Sequence, residues 1–136
     1  MSAEFIWNVR VYYEDTDAGG IVYYANYLKF FERARTEWLR ALDVGQQVLL
    51  EEHDTLFVVK SVQADYHAPA KLDDVIKLTL RIEKMGRASI LFAQQAWRGE
   101  QLLNTAQVKV GCVDAALRPR AIPPAVVAKM RDALPL

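Results

Sequence analysis

The sequence predicts an α+β fold in which an antiparallel β-sheet wraps around a long central α-helix. Three observations predict it. An apolar stripe too wide for a loosely attached surface helix runs from about Tyr23 to Leu42. Strand-like runs follow it, with apolar and polar residues alternating along them. Short connections containing Gly86 and Gly99 join the last of these runs, as antiparallel neighbours require. An enclosed helix needs a concave surface, and a curled sheet with one polar face provides it.

Each element has its own signal. FIWNVRVYY (5–13) is rich in β-branched and aromatic residues and reads as a first strand, with Ile6, Val9, Val11 and Tyr13 as its apolar positions. Gly19 and Gly20 end the loop that follows. In the helix, Tyr27, Phe31, Ala34, Trp38 and Leu42 recur at helical spacing, widened by Leu28, Phe30 and Leu39, while Lys29, Arg33, Glu37 and Arg40 fall elsewhere. After Asp43-Val44-Gly45 a short second helix is expected around 46–52. TLFVVKSVQADYH (55–67) reads as a strand that stops at Pro69. VIKLTLRIE (75–83) alternates strictly, with Ile76, Leu78, Leu80 and Ile82 opposite Lys77, Thr79, Arg81 and Glu83. ASILFAQQAW (88–97) and LLNTAQVKVGCV (102–113) complete the set, and Pro123-Pro124 precede a short amphipathic helix. Trp7, Trp38 and Trp97 read as core or interface residues.

At 136 residues and 15.5 kDa the chain is expected to form a single domain, 1–136, with a sizeable core. Seventeen basic residues balance seventeen acidic ones, so nothing indicates nucleic acid as a partner. The lone Cys112 rules out an internal disulfide framework and falls on an apolar strand face, as a packing residue does. With no apolar run of membrane-spanning length and a short acidic start, MSAEF, a cytoplasmic location without membrane span is expected. Phosphate-binding and dinucleotide-binding glycine loops are missing, as is a serine nucleophile elbow. His53 and His67 lack metal-ligand spacing, and no metal or cofactor is expected. His67, at a strand end before Ala-Pro-Ala, is a candidate for lining a site.

The chemistry therefore concentrates in YEDTDAGGIVYYANY (13–27), where Glu14, Asp15 and Asp17 precede two glycines and an abrupt helix start. The first turn of a helix presents unpaired N–H groups and a positive dipole end, which suit a developing oxyanion. Glycines before it permit positive φ and close backbone approach. An acid there can act as nucleophile or general base. It can equally do no more than fix the turn through side-chain to backbone hydrogen bonds. Residue pattern alone leaves both readings open.

YYEDTDAGGIVYYANYLKFFERARTEWL (12–39) closely resembles the signature of the hotdog-fold 4-hydroxybenzoyl-CoA thioesterase family. Within it, the chain most resembles small bacterial acyl-CoA thioesterases encoded with the Tol–Pal envelope system, the YbgC type. YHAPAKLDD (66–74), CVD (112–114) and PRAIP (119–123) extend the similarity over nearly the whole chain. The resemblance implies a hotdog fold and hydrolysis of an acyl-CoA thioester. It implies that Asp17 is the catalytic aspartate, and that the backbone N–H at Tyr24, the helix-start position, polarises the thioester carbonyl. Many YbgC-type members carry histidine at that position; the tyrosine here retains only the backbone role. Tyr13, Asp15 and Asn26 match positions that hold the loop or substrate. Glu32, one turn further along, matches a position that is secondary here, a candidate partner for Arg33 or Arg35.

The chemistry suits a sparse site. A thioester is less resonance-stabilised than an ester and CoA thiolate leaves readily, so one ionised carboxylate, with a pKa of about 4, and one oxyanion donor suffice. The CoA phosphates need cations, for which Lys84 and Arg87 after the third strand are candidates, with Lys71 as another. Family likeness also implies a homodimer or homotetramer, and the apolar stripe with Trp97 and the 106–112 face, more than one subunit can comfortably cover, predicts sheets joined edge to edge with loop residues near 66–71 shared between subunits. Acyl carrier protein is a further candidate partner. Rival readings are a hydratase on the same fold, which usually needs a histidine in this loop, and a non-catalytic acyl-binding or envelope-associated adaptor.

Overall fold

The computed structural model describes residues 3–135. Strand β1 (Phe5–Arg10) leads through a 3-10 turn at Tyr13–Asp15 into α1 (Asn26–Ala41) and α2 (Gln46–His53). Strands β2 (Leu56–Tyr66), β3 (Val75–Met85), β4 (Ser89–Arg98) and β5 (Gln101–Val113) follow, and α3 (Pro124–Ala133) ends the described chain. The five strands form one antiparallel sheet in the order β1-β3-β4-β5-β2. The chain between β2 and β3 therefore crosses from one edge towards the other. The short turns at Gly86 and Gly99 join antiparallel neighbours, and Gly99 holds a positive φ of 58° there.

Register explains the enclosed helix. Leu78 pairs with Ala96, Leu80 with Gln94 and Ile82 with Phe92, while Phe92 and Ile90 face Val108 and Val110 across the next ladder. These residues share one face and are buried, together with Tyr27, Phe30, Phe31, Ala34, Trp38 and Leu39 of α1. The Trp38 ring meets Phe92 edge-on, with centroids 5.7 Å apart. The predicted α+β sheet around a central helix is the observed arrangement. Cys112 is buried in this core, where burial pushes its thiol pKa up despite the nearby Arg120.

Some details differ. The first strand stops at Arg10, because the Val11 and Asp73 N–H groups bond to the Asp74 and Val11 carbonyls of a turn outside the ladder. Its inner face carries Phe5, Trp7 and Val9, opposite Leu80, Leu78 and Ile76; Ile6 points outward and is half exposed. Leu28, expected on the helix stripe, is exposed.

Candidate active site

The segment after β1 folds back on itself as a small hairpin. Tyr23 N–H donates to the Asp15 carbonyl, Thr16 pairs with Val22, and Asp17 N–H donates to the Ile21 carbonyl. Gly20, with φ of 80°, closes the tip. Asp17 thus sits at the tip and Tyr24 at the entrance to α1, one after the other along the same short structure.

The two acids of Asp-Thr-Asp meet different surroundings. Asp15 is buried, and its Oδ2 accepts the Tyr12 N–H at 2.8 Å while its carbonyl accepts the Asn26 amide at 2.9 Å. Asp17 is exposed, and its Oδ1 accepts the Gly19 N–H at 2.8 Å. Both carboxylates therefore serve the turn, and Asp17 alone of the two also faces solvent. At the helix start, among the described residues, the Tyr24 N–H has no backbone acceptor. The Tyr24 ring is exposed and its carbonyl accepts the Tyr66 hydroxyl at 2.8 Å. Asn26 is buried and braces the loop, whereas Tyr13 is 82% exposed.

Beside the helix start lies a cleft of about 340 Å³, lined by Ile21, Val22, Tyr24, Tyr27, Tyr66 and residues 67–69. His67 lines it, with Nε2 3.1 Å from the Thr105 hydroxyl. Residues 66–69 stand beside Tyr24 of the same chain in this cleft. Tyr27 closes the inner side: its hydroxyl accepts the Ala70 N–H at 3.1 Å, and burial raises its pKa. Aromatic edges hold the wall together, with Tyr27 and Tyr66 centroids 5.7 Å apart and Tyr24 and Tyr66 6.2 Å apart.

The cations divide by position. Lys71 is exposed and bridges Ile21 of the hairpin. Arg98 donates to Asp74 at 2.8 Å and to the Pro69 carbonyl at 3.1 Å, which ties the cleft rim to the β4–β5 turn. Lys84 and Arg87 lie at the other end of β3, roughly 30 Å away at about 3.3 Å per residue, where Arg87 borders α3. One subunit does not bring them to the hairpin. Glu32 takes the Thr36 hydroxyl rather than an arginine, and Arg35 instead donates to Gln94 at 3.0 Å. A separate cavity of about 110 Å³ lies there between α1 and the sheet, with Glu32, Arg35, Phe57 and Phe92 in its lining. Among the described residues no three or more His, Cys, Asp or Glu side chains gather to hold a metal.

Sequence reasoning reached Tyr66 only as part of the loop near 66–71, and missed Tyr27 and Arg98 as parts of the site. Tyr27 reads as one more residue of the core stripe, and Tyr66 as one more aromatic in a strand. Only the return of 66–74 beside the helix start distinguishes them.

The thioesterase superfamily model matches residues 19–105, beginning just after Asp17. The acyl-CoA thioesterase YbgC of Haemophilus influenzae is 52% identical over 125 residues, covering 91% of this chain and 92% of that protein. The acyl-CoA thioester hydrolase YbgC of Escherichia coli O157:H7 is 48% identical over 130 residues, covering 94% of this chain and 96% of the relative. A crystal structure of a probable thioesterase from Bartonella henselae superposes with a TM-score of 0.86 at 33% identity, over 89% of this chain and 100% of that one.

Proposed function

This chain belongs to the thioesterase superfamily, and on that premise we propose that it is an acyl-CoA thioesterase, releasing free acid and CoA. The observation that carries the reading is an exposed aspartate on a glycine-tipped hairpin that leads directly into a helix start beside an aromatic cleft. The acyl group occupies the cleft, and the Tyr24 N–H donates to the thioester oxygen as negative charge develops there. The Asp17 carboxylate acts as nucleophile or as the base that takes a proton from water. Either way the tetrahedral centre collapses by expelling CoA thiolate, which needs no strong acid; where Asp17 itself attacks, water then hydrolyses the acyl–aspartyl anhydride to free acid and restores the carboxylate.

Asp15 and Asn26 hold the hairpin, Tyr13 and His67 flank the acyl group, and Lys71 meets the phosphates. Lys84 and Arg87 belong to this reading only as residues supplied by a second subunit. On the resemblance alone we extend the reading to one domain per chain, a homodimer or homotetramer, cytoplasmic work beside the Tol–Pal system, and acyl carrier protein as a second carrier. Among the described residues no helix is long and apolar enough to cross a membrane. The test is thiol release from a panel of acyl-CoA esters, followed with a thiol reagent. Turnover supports the reading; binding without thiol release from any ester overturns it in favour of an acyl-binding adaptor.

A further inference from the structure

The Tyr66 hydroxyl donates to the Tyr24 carbonyl at 2.8 Å, joining residues 42 apart in the chain. Nothing else among the described residues takes that carbonyl: the Leu28 N–H, one turn on, goes to the Ala25 carbonyl at 3.1 Å instead. The sheet holds Tyr66 firmly. It ends β2 opposite Asn104 of β5, and the His67 and Ala68 N–H groups that follow it both bond to the Leu103 carbonyl. Its ring stands edge-on to Tyr27 and Tyr24, which fixes where the hydroxyl points. Phenylalanine would line the cleft as well, so the hydroxyl has a use beyond the wall.

That use lies in the two peptide groups that flank the Tyr24 Cα. The first carries the Tyr24 N–H at one end and the Tyr23 carbonyl at the other, and this carbonyl accepts the Asn26 N–H at 2.8 Å. No peptide bond among the described residues is cis, so the Tyr24 N–H points away from the turn that Asn26 begins. The second peptide group carries the Tyr24 carbonyl, and among the described residues Tyr66 alone holds it. With both planes held, φ and ψ at Tyr24 are set and the N–H has a fixed direction. The hold from Asn26 is local to the helix start, whereas the hold from Tyr66 ties it to the sheet.

We propose that Tyr66 is a positioning residue for thioester hydrolysis, whose hydroxyl, acting through the Tyr24 carbonyl, keeps the Tyr24 N–H aimed at the developing oxyanion. The inference rests on the thioesterase reading and deepens it. A donor of this kind is effective because it is aimed before the charge appears and need not reorganise. Without the hydroxyl, water takes over the exposed carbonyl; the N–H remains, but it swings through a wider range. Burial first, and Tyr24 next, push the Tyr66 pKa up, while the Asn104 amide pulls it back. The net rise keeps the hydroxyl protonated, as a donor to a carbonyl must be.

Tyr66→Phe and Tyr66→Leu test this on the intact chain, with thiol release from acyl-CoA esters as the assay. Tyr66→Phe keeps the ring and should lower kcat by about tenfold or more, with KM within about twofold, since the loss falls on the transition state. Tyr66→Leu also removes the ring and should add a rise in KM to the same loss in kcat. The shape of the kcat–pH profile below about pH 9 should be the same for Tyr66→Phe and the wild type, because a hydroxyl of raised pKa exchanges no proton there. A Phe variant with wild-type kcat overturns the inference and leaves Tyr66 as wall alone. So does a fall in kcat that only tracks the folded fraction seen by circular dichroism, which marks a structural bond. A pH limb lost in the Phe variant also overturns it, since Tyr66 would then trade a proton with the substrate. In each of these cases the wild type still releases thiol; no thiol from any ester with the wild type overturns the thioesterase reading and this inference with it.

Discussion

Asp15 and Asp17 are one residue apart, yet only Asp17 presents a carboxylate to solvent, at the tip of a hairpin that Asp15 braces from within. Asp17→Asn keeps the shape and the acceptor for Gly19 while removing the charge that attacks. It should lower kcat by about 10²–10⁴ with little change in KM, since the carboxylate acts chiefly in the transition state. Asp15→Asn should cost less activity but more Tm, because its buried oxygen holds Tyr12 and a weakened bond there costs about 1 kcal/mol. Steady-state kinetics and thermal melts of the pair check this. If folded Asp17→Asn turns over at the wild-type rate, Asp17 leaves the mechanism and Glu32 becomes the next carboxylate to examine. Residues of this hairpin were legible because acids, glycines and an abrupt change of period fall together in sequence. Tyr66 was not, since alternation along a strand reads the same whether an inward side chain meets the core or a cleft.

At the scale of elements, the long helix was the most legible feature, because so wide a stripe has only one comfortable place to go. Its Trp38 is nearly inaccessible and meets Phe92 edge-on. Trp38→Ala should cost about 3–5 kcal/mol, a drop in Tm of about 10 °C or more by calorimetry. A smaller loss would mean that helix and sheet can close the gap. The end and phase of β1 were less legible, since Ile6, Val9 and Val11 are all apolar and the outward position of Ile6 follows only from its pairing with Thr79. A long-range tie also escaped the sequence: Arg98 at the end of β4 holds Asp74 ahead of β3. Partial burial raises the Asp74 pKa, but Arg98 and the Lys71 N–H outweigh it, so the folded carboxyl lies below its ordinary value. A depressed carboxylate pKa adds stability that is complete above the unfolded pKa of about 3.9 and fades as pH falls through the folded value. The Tm difference between wild type and Asp74→Asn should therefore be largest near neutral pH and shrink below about pH 4. A difference independent of pH would show that the pair adds nothing through its charge.

For the whole molecule, the informative feature is the sheet edge at β2. This strand has eleven residues, pairs among the described residues with β5 alone, and leaves Val58, Val59 and Val62 exposed over both of its faces. Val59 and Val62 face the concave side, opposite Val110 and Val108, where they would be covered if the sheet continued. An open, long and apolar edge is an invitation to pair, whereas the β1 edge is short and ends in Asn8 and Arg10. A two-fold pairing of β2 with its copy would bury the same patch on both chains. The ends of β3 bear on the same point: Lys84 and Arg87 lie at the end of the strand away from the hairpin, so a phosphate-binding role for them would call on a second subunit. Light scattering should therefore find at least twice the 15.5 kDa chain mass. Val62→Asp, which sets a charge on the pairing edge, should shift the protein towards monomer and lower activity in parallel as concentration falls. Should a 15.5 kDa monomer hydrolyse acyl-CoA at full rate at assay concentration, the site is complete within one chain, and the exposed β2 edge must be explained in another way.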